Sequence, residues 1–228
     1  DVEVMPILNK EDAIVIEPGL RHVTLPEAQG TPSSQTFAGT VDIAPNGVAR
    51  ATLTLTFAGG SAAELRTGIE GVAPAERAAV IAERFVPSIV PGGSADPESI
   101  RVEGLDDWEG PLSVSFVADT AGLIRPARDG FHVVPLFGSG LENAFARLQT
   151  RTTTELVGEV EQTVRLEVRG PGVLHAPEAA QLEGPLGARA TLAVSRGQEG
   201  AIVLERRTHL PLALVPVYVA NVPFFFDG

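Results

Sequence analysis

The sequence predicts an all-β fold, mainly an antiparallel β-sandwich, with one principal helix near 74–85. Three observations lead there. Apolar and polar residues alternate with period two through most readable stretches. Turns rich in Gly and Pro separate these stretches at intervals of roughly 8–12 residues, the rhythm of a sandwich. A single window departs from this and takes up helical spacing.

The first strong element is a hairpin. Residues 36–43 and 49–57 (the second reading ARATLTLTF) flank Ala44-Pro45-Asn46-Gly47. In the second run Ala51, Leu53, Leu55 and Phe57 share one face, and Arg50, Thr52, Thr54 and Thr56 the other. Alternation around Asn-Gly is the strongest short-range hairpin signal a sequence offers. Residues 74–85 (PAERAAVIAERF) open with Pro, carry Glu76 near the positive end, and space Ala, Val and Ile along one helical face. A shorter helix over 61–66 leads into it, and the Pro, Gly and Ser of 87–96 predict a loop. Strand patterns resume at 100–103, 112–118 and 131–137. Residues 138–148 read as a connection with a short helical turn. Beyond it, 161–169, 174–176, 180–183, 188–195 and 201–209 alternate again between Gly/Pro turns. The expected organisation is a β-rich module with an inserted helix over 1–140 and an antiparallel sandwich module over 141–228, or one extended sandwich in which both blocks share a core.

Composition narrows the function classes. The 228 residues carry 17 Lys+Arg against 29 Asp+Glu, a net charge of −12, which disfavours nucleic acid and anionic membrane as partners. A 44% hydrophobic chain has ample material for a core, and 24 Gly with 18 Pro are too many breaks for a helical bundle. There is no cysteine, hence no disulfide, no thiolate metal ligand and no thiol nucleophile. The opening Asp1-Val-Glu-Val-Met-Pro is acidic and lacks the apolar segment of a secretory leader. Because it begins without Met, the expectation is a processed product or an excised fragment. The most apolar stretch, 210–226, contains Pro211, Pro216 and Pro223 and falls short of the roughly 20 residues of a spanning helix. No membrane span is predicted.

Few residues suggest chemistry. His22, His132, His175 and His209 lie far apart and share no ligand spacing, so no metal site is expected. Gly138-Ser139-Gly140 is too compact for a nucleophile elbow, and the lone Lys10 follows no phosphate-binding loop. No catalytic or cofactor-binding residue is assigned. Of the adjacent carboxylates, Glu11-Asp12 point to opposite faces of any strand, whereas Asp106-Asp107-Trp108-Glu109 gathers three acids around the only tryptophan. This cluster reads as a weak cation or partner site, or as a solvated turn with Trp108 tucked over the sheet. Tyr218 and the run Phe224, Phe225, Phe226 are further candidate contacts, either facing a protein partner or packing on the sheet.

The order of these segments resembles a known family. Ala13-Ile14-Val15-Ile16-Glu17-Pro18-Gly19 precedes the hairpin VDIAPNGVARATLTLTFAGGSAAELR. Glu83-Arg84-Phe85-Val86-Pro87 ends the helix, and VEGLDDWEGP leads into LSVSFVA. Then come Val173 to Pro177, QLEGPLG, and IVLERR before LPLALVPVYVANVPFFFD. Over residues 12–227 this order is similar to the β-rich region that follows the catalytic domain in bacterial transglutaminase-like proteins. The family's closing Val-Pro-Pro-x-x-Tyr-Pro-x-Phe is met only loosely, by Val215-Pro216-Val217-Tyr218 and Phe224. The resemblance implies a non-catalytic accessory module in the periplasm or cell envelope. Its implied partner is the catalytic domain of the same parent chain or an envelope protein. The family's chemistry needs a Cys thiolate, so no catalytic role carries over. Two other expectations compete: a structural subunit of a larger envelope assembly, and a β-sandwich hydrolase whose Asp, Glu and His meet only in space.

Overall fold

The computed structural model describes residues 12–15, 21–24, 33–127, 130–133, 155–157, 159–171, 176–184, 187–211 and 213–215. Strands dominate them. β1 (Asp12–Val15) and β2 (Arg21–Thr24) pair with each other. Nine others build one mixed sheet. The first half of the chain supplies β3 (Ser34–Ile43), β4 (Ala49–Ala58), β5 (Ser94–Ala95), β6 (Arg101–Glu103) and β7 (Leu112–Thr120). Two short pairs stand apart, β8 (Ile124–Ala127) with β9 (Gly130–Val133), and β10 (Glu155–Val157) with β15 (Ala213–Val215). The second half adds β11 (Val160–Arg169), β12 (Ala180–Glu183), β13 (Arg189–Arg196) and β14 (Ile202–Leu210). Across the sheet the order is β12-β13-β14-β11-β3-β4-β7-β5, with β6 also on β7.

The hairpin forms where the alternation places it. Gly47, at φ +83°, takes the left-handed conformation that closes the Ala44–Gly47 turn, with its N–H donating to Ala44 O at 2.9 Å. Ile43 then meets Ala49 and the register runs unbroken to Ser34 against Ala58. Ala51, Leu53, Leu55 and Phe57 are buried, whereas Arg50, Thr52 and Thr54 are exposed. β7 adds Leu112, Val114, Phe116 and Ala118 to the same buried face, each opposite a buried β4 residue. Fully burying each of the large side chains is worth roughly 1.5–3 kcal/mol.

Helices cover this face. α1 (Gly60–Glu70) turns Ala62, Arg66 and Ile69 inward, a 4-then-3 spacing that marks one helical face. The principal helix begins at Arg77 and continues to Ile89 as α2 (Arg77–Val80), a π turn (Ile81–Phe85) and α3 (Val86–Ile89). It starts later than the predicted 74 and takes in four residues beyond Phe85, three of them inside the predicted loop 87–96. Pro87 explains the wide turn. In a regular helix its ring would meet the carbonyl of Glu83, and the π turn opens the ladder there. Phe37, Phe57 and Phe85 stack edge-to-face between the layers, at 5.7 Å and 6.4 Å. Among the described residues, the layer over the apolar face of β3, β4 and β7 is therefore helical.

The large sheet takes strands from both sides of position 140. β11 lies parallel to β3, Gln162 beside Gln35 through Val168 beside Val41, and all other pairings in the sheet are antiparallel. One core runs from Leu55 and Phe116 through Phe37 to Val164, Leu166 and Val168. The parallel seam gives the open edge of each block a partner, so the two blocks share one sheet and one core. No helix among the described residues is long and apolar enough to cross a membrane.

Candidate functional site

The loop between β6 and β7 carries the most distinctive group on the described surface. Gly104 turns out of β6 at φ +79°, in a position where a Cβ would run into the carbonyl of Pro111. Asp107 then folds the loop on itself, its Oδ1 accepting from Glu109 N at 3.3 Å and Gly110 N at 3.0 Å. Between them Trp108 is not tucked over the sheet but stands out to solvent, 53% exposed.

Beneath the loop lies Arg66, only 1% exposed. It projects from the buried face of α1. Its Nε and Nη2 both donate to Gly104 O, at 3.1 Å and 3.0 Å, and Nη2 also donates to Gly110 O at 2.6 Å. The two ends of the loop are thus tied by one guanidinium. Its Cζ lies 5.8 Å from the Trp108 ring centroid, within cation–π range. A buried cation and an exposed indole make one rigid unit, with Asp106 and Glu109 exposed around it. Chemically the unit offers an aromatic face in a ring of negative charge.

A second constellation is a polar chain across the inward face, at one end of the seam. Arg206 Nη2 donates to Gln162 Oε1 (2.8 Å), and Gln162 Nε2 to Gln35 Oε1 (3.1 Å). Gln35 Nε2 reaches Ser61 Oγ at 3.5 Å, and Ser61 Oγ is 2.8 Å from Ser33 Oγ. Ser33 Oγ also accepts from Ser61 N at 3.1 Å, capping α1 from 28 residues away. Its members serve one another, which makes this a device for holding register across the seam.

The other candidates fall as follows. His209 lies in β14 on the surface, its Nδ1 3.9 Å from Glu159 Oε1. His22 is in β2, opposite Ile14, and His132 in β9, opposite Arg125. His175, Glu11, Gly138-Ser139-Gly140, Tyr218, Phe224, Phe225 and Phe226 lie outside the described residues. Among the described residues, no three His, Asp or Glu converge as a metal site. Arg66 was missed in the sequence, though a signal exists: an arginine placed four residues after Ala62 and three before Ile69, inside an apolar stripe.

Comparison with family models, with curated proteins and with solved structures finds no match to this chain.

Proposed function

We propose that this chain is a non-catalytic binding and scaffolding module that engages a protein partner through Trp108. One observation carries the reading: a buried arginine ties together the two ends of a loop that presents a half-exposed indole within cation–π range of it. Interface hot spots are enriched in Trp, and a side chain ordered before binding loses little entropy on binding. Asp106 and Glu109 make the complementary partner surface basic. In the setting the resemblance implies, the partner is a catalytic domain encoded in the same reading frame or a protein of the cell envelope. A structural subunit of a larger envelope assembly is the second reading. It is favoured by β12, an exposed edge strand that presents Leu182 at 46% exposure.

The decisive experiment measures association with whatever Cys/His/Asp domain the reading frame encodes upstream. Trp108→Ala should weaken it by at least about tenfold with the melting temperature unchanged. Equal binding by wild type and variant would remove Trp108 from the interface. Leu182→Lys should block assembly instead if the edge strand is the contact. Turnover of amide, ester or glycoside substrates that survives repurification overturns the non-catalytic reading.

A further inference from the structure

An apolar pocket of about 140 Å³ lies between α1 and the principal helix, with Leu65 and Ile69 on one side, Phe85 on the other and Val114 of β7 beneath. Its lining also carries two cations, Arg77 and Arg84, and no carboxylate. In a chain with 29 Asp+Glu against 17 Lys+Arg, such a site runs against the overall balance. Among the described residues neither arginine is ion-paired. Arg77 Nε donates to Val72 O at 3.1 Å, which steadies the guanidinium and leaves the edge formed by its two Nη groups for another acceptor. Gly68 lines the pocket and is exposed, so it stands at the rim. A Cβ placed there would meet nothing within 4 Å. Glycine weakens a helix relative to alanine, and no close approach and no positive φ requires this one. What it does is keep the pocket open.

These features select a ligand. A cavity of about 150 Å³ lined by aliphatic and aromatic groups holds one benzene ring. A ring set against Phe85 would extend by one member the edge-to-face series that runs from Phe37 through Phe57. Guanidinium groups match a planar carboxylate in shape as well as in charge. The two arginines therefore favour an acid attached to that ring and disfavour an amine. The volume leaves no room for a fused ring system or a long acyl chain.

We propose that this pocket binds a small aromatic carboxylate, one benzene ring bearing its acid on a short arm, with the ring against Phe85 and Val114 and the carboxylate on Arg77 and Arg84. The site uses neither Trp108 nor the loop that carries it, so this assignment and the role given to Trp108 can fail separately.

Titration of the full chain with phenylacetate tests it, read from the methyl resonances of Leu65, Ile69 and Val114. They should shift saturably with a Kd of about 1 mM or lower, which is within reach of a ligand of roughly ten non-hydrogen atoms. The alcohol 2-phenylethanol keeps the ring and loses the charge, and should bind at least about fivefold more weakly. Arg84→Gln should weaken phenylacetate by a similar factor and leave 2-phenylethanol unchanged. Gly68→Leu places a side chain in the mouth and should abolish binding of both, with the melting temperature no lower than that of the wild type. Equal affinity for the acid and the alcohol overturns the role of the arginines. Binding that survives Gly68→Leu, shifts confined to residues away from the pocket such as Leu182 and Leu192, or no saturable shift up to about 10 mM phenylacetate overturns the site itself.

Discussion

The two halves of the large sheet follow one pattern and end in different states. In the half built from β3, β4 and β7, the inward residues Leu53, Leu55, Val114 and Phe116 are sealed, at 2% exposure or less. In the half built from β14, β13 and β12, Ile202 and Leu210 at the two ends of β14 are buried, but the inward Leu204, Val194 and Leu192 are only half-buried and Leu182 at the edge is exposed. α1 packs over β3 and β4, and the principal helix over β5. Alternation decides which side of a strand is apolar; the layer above decides how much that apolar side is worth. The first half is therefore a conventional core, and the second is the softer surface.

The sharpest way to break this comparison is a matched pair of truncations. Leu53→Ala should cost about 3–5 kcal/mol, because its surroundings leave a cavity that cannot collapse. Leu192→Ala, in the other half, should cost less than about 1 kcal/mol. Urea midpoints at constant slope provide the measurement. Comparable losses would mean that the second half is as tightly covered as the first.

Arg66→Met ranks next. It keeps the stem but strands the carbonyls of Gly104 and Gly110, at an expected cost of about 2–4 kcal/mol. The signature is local as well as global: Trp108 should lose anisotropy and gain quencher access, while Trp108→Ala leaves stability nearly unchanged. A stable variant with an unaltered tryptophan signal would show that the loop holds its own shape.

At the seam, Gln162→Leu should cost about 1–3 kcal/mol, since it leaves Gln35 and Arg206 with one partner fewer in a buried setting. Adding Gln35→Leu should cost less than the sum of the two single changes, because two leucines side by side satisfy each other. Strict additivity would mean that the paired glutamines do not act as a unit.

Which of these features could be read in the sequence follows from their range along the chain. The 44–47 turn, the alternation of β4 and β11, and the acidic turn around Trp108 are all encoded within ten residues, and all were legible. The seam was not. Gln35 and Gln162 stand 127 residues apart, and nothing in either strand names the other. α1 was predicted to end at 66 and runs on to Glu70: Gly68 inside it reads as a break, and the burial of Ile69 against the sheet keeps the last turn helical. At the principal helix Pro87 reads as a stop, while the π turn that accommodates it is invisible to periodicity. Arg66 was passed over because an arginine in an amphipathic helix reads as solvated, whereas here two backbone carbonyls take the place of water.

The smallest effect should come from the open face of the sheet, opposite the helices. There Arg169 contacts Glu167 at 2.8 Å and Asp42 at 3.8 Å. The hydrogen bond that Arg169 Nε donates to Glu167 Oε1, with the attraction of the same carboxylate behind it, holds the Arg169 guanidinium above the usual arginine range. A raised value in the folded state means the contribution is present below the unfolded pKa and fades only as pH climbs through the folded one. Between about pH 5 and pH 9 this arginine therefore adds no pH dependence to stability. The pair is also solvent-exposed, and ions in the medium screen it. Arg169→Ala should leave the urea midpoint unchanged within error, at low salt as at high. A clear loss that disappears on adding salt would show that the charged face contributes to the fold, and would narrow the contrast between the two sides of the sheet.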